Sequence, residues 1–246
     1  MTAGLEWLAA FPHAEAQRAV GAVHASWTAL ASRQRPHFNP AIPEPKLTRV
    51  LKQHAERVSA RQLGLLGYWG AEGVDNDVDF ESGEITDETR TDILYAWNDE
   101  ARSLRLVFEF KRVSHLAESR KKYYGVGGLM RFVTGSYSRG QAVAVMSAIL
   151  IAEPVETQAS LKRSLQQPAT AALLRMVARS DKAWLHEPSG LFPAECAFDT
   201  EHLRPGELGP THRTIRVAHL FLPFGYPVAA RKRWTRDATL TALEGE

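Results

Sequence analysis

The run Leu104-Arg105-Leu106-Val107-Phe108-Glu109-Phe110-Lys111 constrains the fold more than any other stretch of the chain. Its apolar–polar alternation is nearly strict, and successive side chains of a β-strand point to opposite faces. Leu104, Leu106, Phe108 and Phe110 therefore share one face, directed into a core, while Arg105, Val107, Glu109 and Lys111 share the other. Strand rise sets Glu109 and Lys111 about 7 Å apart on that face. Just upstream, Ile93-Leu94-Tyr95-Ala96-Trp97 has the composition of a second strand, and the polar link 98–103 is turn-like, so the pair forms a hairpin. With Trp97 facing Leu104, the same register carries Asp92 opposite Glu109.

A carboxylate and an ammonium within an otherwise apolar strand are costly unless they are paired or coordinate something. One reading is a surface hairpin with a cross-strand salt bridge from Asp92 or Glu109 to Lys111. The other is a hard-oxygen site for Mg²⁺ or Mn²⁺. Such a site binds a phosphodiester oxygen, lowers the pKa of a bound water and stabilises developing charge. Lys111 would then orient the attacking water or help deprotonate it.

Helical periodicity surrounds the hairpin. Residues 14–34 place Val20, Val23, Trp27 and Leu30 at helical spacing. After a proline-punctuated connector, residues 45–66 form an amphipathic helix with Leu47, Val50, Leu51, His54 and Val58 on one face and Pro45 at its start. Residues 67–90 shift to Gly, Asp and Glu. Within them, Asp75 to Glu81 fails the calcium-loop pattern, because Phe80 stands where glycine is needed, and an acidic loop near the active site is expected instead. Helices are expected over 116–130, 141–151 and much of 155–177, and strands over 183–186 and 214–224. Gly125-Val126-Gly127-Gly128 follows no strand and carries no Lys-Ser/Thr, so it marks close helix packing or a kink and not a phosphate loop. The order implies an α/β fold, a central mixed β-sheet flanked by helices. It divides into an N-terminal helical segment (1–35), a main domain (36–230) and a basic C-terminal tail (231–246).

Composition narrows the function classes. A single cysteine among 246 residues, Cys196, excludes an internal disulfide framework and a cysteine-based zinc site. His186, His202, His212 and His219 lack metal-ligand spacing and are expected as satisfied polar residues, with His212 notable because Arg213 beside it could contact phosphate. No export signal is read at 1–11, and the apolar stretch 142–151 is too short to span a bilayer, so a cytoplasmic location with no membrane contact is expected. Net charge is +2 and the isoelectric point about 8.7. Acidic residues crowd 75–92, and basic ones crowd 112–122 and 231–236. Solvated faces of opposite sign would give that pattern, and so would a metal site beside a phosphate-binding surface.

The string Arg90-Thr91-Asp92-Ile93-Leu94, followed by Leu106-Val107-Phe108-Glu109-Phe110-Lys111, resembles the bipartite D…(D/E)-x-K motif of PD-(D/E)XK, restriction-endonuclease-like nucleases. Thr91 stands where that motif often has proline. The resemblance implies that Asp92 and Glu109 hold the divalent metal and that Lys111 is the catalytic lysine. Glu44-Pro45-Lys46-Leu47-Thr48 resembles the acidic start of the family's first core helix, which implies Glu44 as a third acid, with Glu56 in reserve. The stretch from Tyr124 to Tyr137 and that from His212 to Leu222 resemble later blocks of prokaryotic host-defence members. Together these imply a Mg²⁺- or Mn²⁺-dependent endonuclease acting on nucleic acid, DNA foremost, against foreign DNA. A partner protein of a defence system and a homodimer are compatible with it. Arg120, Lys121, Lys122 and Arg131 are the expected phosphate contacts. The competing reading is a non-catalytic nucleic-acid-binding or assembly subunit that keeps the nuclease-like fold.

Overall fold

A computed structural model describes residues 10–79, 84–204 and 213–228, with the side chains of 72–89 left out. His212 and the tail from 231 lie outside the described residues. Seven strands make one mixed sheet in the order β1-β2-β3-β4-β7-β6-β5. Their ranges are β1 Tyr68–Asp79, β2 Glu84–Asn98, β3 Ser103–Val113, β4 Val143–Leu150, β5 Leu185–His186, β6 Cys196–Leu203 and β7 Thr214–Pro223. β1, β2 and β3 form an antiparallel meander; β3, β4 and β7 run parallel; β6 and β5 return antiparallel.

The parallel centre explains why both sheet faces are covered, since parallel strands need crossovers that lay helices over the sheet. Helix α1 (His13–Ala31) and helix α2 (Glu44–His54) pack on one face. There Ala19, Val23, Trp27, Leu47 and Leu51 join Leu104, Leu106, Phe108 and Phe110 in one cluster. The alternation of β3 thus sends its even-numbered apolar residues to the face that the sequence assigns them. On the opposite face lie α3 (Ala117–Tyr124), α4 (Leu129–Thr134), α5 (Pro154–Leu165) and α6 (Pro168–Leu173). Tyr123, Leu129, Phe132, Val133, Leu161 and Leu165 pack there on Val107, Met146 and Val217. The first helix shares its core with the sheet and is pinned to it twice. Trp27 Nε1 donates to the Pro223 carbonyl (2.7 Å), and the Tyr95 hydroxyl donates to buried Glu15.

Several expected elements are corrected. Residues 141–151 are not a helix: Val143–Leu150 is the central strand β4, buried at every position. A strand covered on both faces carries a continuous apolar run, which hides the period of two. The acidic loop expected over 75–81 is strand as far as Asp79, and Phe80 and Glu81 lie outside the described residues. β1 extends to Asp79 against β2, whose Ile85, Thr86, Thr89 and Thr91 are β-branched residues that favour extended backbone. The helix expected over 116–130 divides into α3 and α4 at Gly125–Gly128, where a Cβ on Gly128 would lie 2.1 Å from the Tyr123 carbonyl oxygen. After His54 the second helix passes through one π-turn, Ala55–Ser59, into Ala60–Gln62. That wider turn rotates Ser59 and Ala60 inward and leaves Val58 exposed; Val50, at the margin of the apolar stripe, is exposed too. β6 was not expected from the sequence, since Asp199, Thr200 and His202 interrupt its apolar pattern, yet all three are fully buried.

Candidate active site

The hairpin register is the one that the turn predicts. Trp97 pairs with Leu104 and Ile93 with Phe108, and Asp92 follows next on β2. The Asp92 carboxylate accepts the Phe110 N–H (2.8 Å), which fixes it beside Glu109 at the edge of the paired ladder. From below the strand end, α2 contributes Glu44 at its first turn. One Glu44 oxygen accepts the Arg112 N–H (2.7 Å), and the other meets Lys111 Nζ (3.1 Å). Lys111 Nζ also donates to Glu109 (2.6 Å) and to the Phe110 carbonyl (2.7 Å). Four residues from three elements, Glu44, Asp92, Glu109 and Lys111, thus converge where β3 parts from β2 while still paired with β4. Glu56 is not among them and pairs with Lys52 on its own helix (2.8 Å).

Burial sets the protonation of this cluster. The Glu109 side chain is 3% exposed, while Lys111 and Glu44 are 18% and 22% exposed. Desolvation, followed by the charge of Asp92, pushes the Glu109 carboxyl up to about 8, against the pull of Lys111. Asp92 is also raised, by burial first, with Lys111 and the Phe110 N–H opposing. Burial alone would lower Lys111; Glu109 and Glu44 outweigh it and hold the ammonium charged well above the usual lysine range. Protonated, the Glu109 carboxyl hydrogen-bonds to Asp92; ionised, its buried Oε2 has no donor. An orphaned carboxylate oxygen beside a second carboxylate is a position where a cation would lift a standing electrostatic cost. Asp92 and Glu109 therefore fit a hard divalent cation by donor type, with the orphaned oxygen available as a ligand. Among the described residues, no three acids, histidines or cysteines already stand grouped around a common metal position. Lys111 lies between Glu44 and Glu109, so Glu44 reaches the pair through the ammonium.

The expected phosphate contacts separate. Arg131, on α4, is held over the Tyr137 ring (4.9 Å) and donates to its hydroxyl, and its charge acts on Glu109. Arg120 is engaged in helix packing, where its Nε donates to Ser164 of α5 (2.9 Å) and another nitrogen to the His115 carbonyl. Lys121 and Lys122 are exposed on α3, and Lys121 pairs with Glu118 (3.1 Å).

Two further residues shape the site. Tyr137, buried, donates its hydroxyl to the Arg90 carbonyl (2.6 Å), which ties the segment after α4 to β2 just before Asp92. Arg204 is 1% exposed, and its guanidinium donates to the carbonyls of Phe132 (2.7 Å), Tyr137 (2.7 Å) and Ser138 (2.6 Å). It therefore braces the segment that carries Arg131 and Tyr137. Sequence spacing carried no signal for Arg204, because its partners are backbone carbonyls about seventy positions away. The buried histidines form their own network. Thr200 Oγ1 bridges His202 Nε2 (2.7 Å) and His219 Nε2 (2.8 Å), and His219 Nδ1 meets the Tyr123 hydroxyl (2.8 Å). Burial lowers both imidazole pKa values, to about 4 for His202.

Comparison with known proteins yields no matching family model, no matching curated protein and no matching solved structure. No helix among the described residues is long and apolar enough to cross a membrane.

Proposed function

We propose that the chain is a metal-dependent nuclease of the PD-(D/E)XK type, hydrolysing phosphodiester bonds of nucleic acid, DNA foremost, in defence against foreign DNA. The observation that carries this reading is the convergence of Asp92, buried Glu109 with its orphaned oxygen, Lys111 and Glu44 at one strand end. A salt bridge on a surface hairpin would leave both acids solvated. Here both carboxyls are driven towards the neutral form by burial, Glu109 also by the charge of Asp92 and Asp92 also by that of Glu44, an arrangement that favours a functional site.

Asp92 and Glu109 are the residues that would hold Mg²⁺ or Mn²⁺. Such an ion supplies charge neutralisation at the phosphoryl oxygens. Lys111 keeps its proton, so its work is electrostatic: it orients a water by donating to it and stabilises the charge that builds on the phosphate. Glu44 aims the lysine through its 3.1 Å contact and is itself fixed by the Arg112 N–H. Glu109 must lose its proton before it can bind a cation. The competing reading, a binding or assembly subunit with the same fold, would make the Glu44–Lys111–Glu109 chain a structural ion pair. It is favoured by the way Lys111 already fills the space between the two glutamates.

The test is cleavage of plasmid and single-stranded DNA with Mg²⁺ or Mn²⁺, together with Mn²⁺ calorimetry, for wild type and for folded Glu109→Gln and Lys111→Ala variants. Cleavage lost in both variants, with Mn²⁺ affinity falling in Glu109→Gln, is the expected result. Absence of Mn²⁺ binding by the wild type would leave the subunit reading in its place.

A further inference from the structure

A cleft of about 530 Å³ opens beside the acid cluster, walled by Arg90, Arg131, Thr134, Ser136, Met130 and Val126. Tyr137 forms its floor. We propose that this cleft is a subsite for the backbone phosphate of one nucleic-acid strand, next to the bond held at Glu109, with Arg131 as its anchor. The inference rests on the nuclease reading of the neighbouring acids and adds to it the strandedness and path of the substrate.

Charge is the first support. Asp92, Glu109 and Glu44 share a single ammonium, so each of them that ionises repels a polyanion unless charge is supplied nearby. Arg131 brings that charge, since its field acts on Glu109. Guanidinium groups also match phosphate oxygens with paired N–H donors.

Preorganisation is the second. Arg131 lies on the Tyr137 ring and donates to its hydroxyl, and that hydroxyl in turn donates to the Arg90 carbonyl. Arg204 secures the carbonyls of Phe132, Tyr137 and Ser138 behind them. An arginine held this way loses little side-chain freedom when it takes a ligand. Tyr137 is a positioning residue, since it acts on the ligand through Arg131.

Size and lining are the third. The cleft is open and of a size to take one nucleotide-sized group, which a single strand can present with its sugar and base accessible. Thr134 donates its hydroxyl to the Met130 carbonyl, and Ser136, 3.1 Å from it, can turn its one proton to phosphate or sugar. On the other rim Met130 and strongly exposed Val126 give an apolar edge for the sugar and base. Val126 reaches that edge because the Gly125–Gly128 turn projects it between α3 and α4.

The experiment uses fluorescein-labelled octathymidylate and fluorescence anisotropy in EDTA, with the full chain as wild type, Arg131→Met, Tyr137→Phe and Arg163→Met. Arg163 sits on α5, paired with Glu156, and is the charge-loss control. Arg131→Met is expected to weaken binding about tenfold or more and to flatten the salt dependence by about one phosphate contact. Tyr137→Phe, which keeps the ring, is expected to weaken it about threefold, and Arg163→Met to leave it within twofold. Inorganic pyrophosphate should displace the oligonucleotide from wild type only at the affinity component that Arg131→Met removes. Equal binding by wild type and Arg131→Met, or no binding by wild type, overturns the subsite. Preference for a duplex of the same length overturns the single-strand assignment, and displacement by an acidic peptide but not by pyrophosphate reassigns the cleft to a protein partner. The two readings fail separately. Arg131-dependent binding with no cleavage by wild type in Mn²⁺ keeps the subsite and removes the nuclease, whereas wild-type cleavage with Arg131-independent binding does the reverse.

Discussion

Protons compete with any cation that binds at Glu109, a carboxyl pushed up to about 8. Its usual value is 4.5, and burial with the neighbouring Asp92 charge accounts for the rise. At about pH 6.5 roughly 97% of Glu109 would be protonated, and at about pH 8.5 roughly a quarter would be. If binding requires one proton to leave Glu109, the apparent Mn²⁺ affinity should rise about 25-fold between those pH values, close to 2 kcal/mol. The stability of the metal-free protein runs the opposite way. A carboxyl raised in the folded state binds more protons there than in the unfolded chain, so its contribution is complete below 4.5 and is lost as the pH climbs through about 8. Calorimetry in two buffers of different ionisation enthalpy, at three pH values, would read both the affinity and the proton released. Glu109→Gln removes the titrating group, so its residual Mn²⁺ affinity should be weak and nearly flat over the same range. A wild-type affinity that stays constant between those pH values, with no proton released, would refute both the protonated Glu109 and its place as a ligand.

Other outcomes are equally specific. Glu44→Gln removes a charge partner from Lys111 while keeping a side chain that can still accept the Arg112 N–H; cleavage should fall at least about tenfold with a loss of about 1–2 kcal/mol in thermal unfolding. Arg204→Met leaves at least three buried carbonyls short of a donor and should cost about 3–5 kcal/mol, read by urea unfolding, with octathymidylate binding weakened as the Arg131 segment loosens. The buried histidines predict the acid limb of the stability curve. His202 and His219 are neutral in the fold and gain protons on unfolding, so stability is complete above 6.5 and falls by up to about 2–3 kcal/mol per pH unit as the pH drops towards about 4. Thr200→Val removes the hydroxyl shared by both rings and should cost about 1–3 kcal/mol at neutral pH, checked by the same denaturation.

The elements legible in the sequence were those with one wet face or one clear period. β3 announces itself because only its even-numbered residues feed the first cluster up to Phe110, and α1 because its apolar residues recur at helical spacing. β4 carries no strand signal for the converse reason, since eight consecutive buried positions erase the contrast on which periodicity depends. β6 fails differently. Asp199 looks like a loop residue, yet it is buried because Ser189 Oγ and the N–H groups of Gly190 and Leu191 surround its carboxylate, all supplied by a segment eight to ten positions upstream. A buried polar residue is made tolerable by partners that folding brings to it, and no local pattern encodes those partners.

The same distinction divides the candidate site. Asp92, Glu109 and Lys111 were accessible because a hairpin converts sequence distance into register. Once 97 faces 104, the position of Asp92 follows from counting, and the ladder keeps that count to Ile93–Phe108. Glu44 could be reached only by resemblance, since nothing in the helix that it starts points sixty-seven positions ahead to Lys111. Arg131 and Arg120 looked alike as basic residues near a glycine turn and part company in three dimensions. α4 turns Arg131 towards Glu109, and α3 turns Arg120 into the contact with α5. What separates them is Tyr137, whose ring and hydroxyl hold Arg131 where its charge acts on Glu109. Charge counted along a chain therefore overstates a binding surface, and the arginine to test is the one whose own support points at the chemistry.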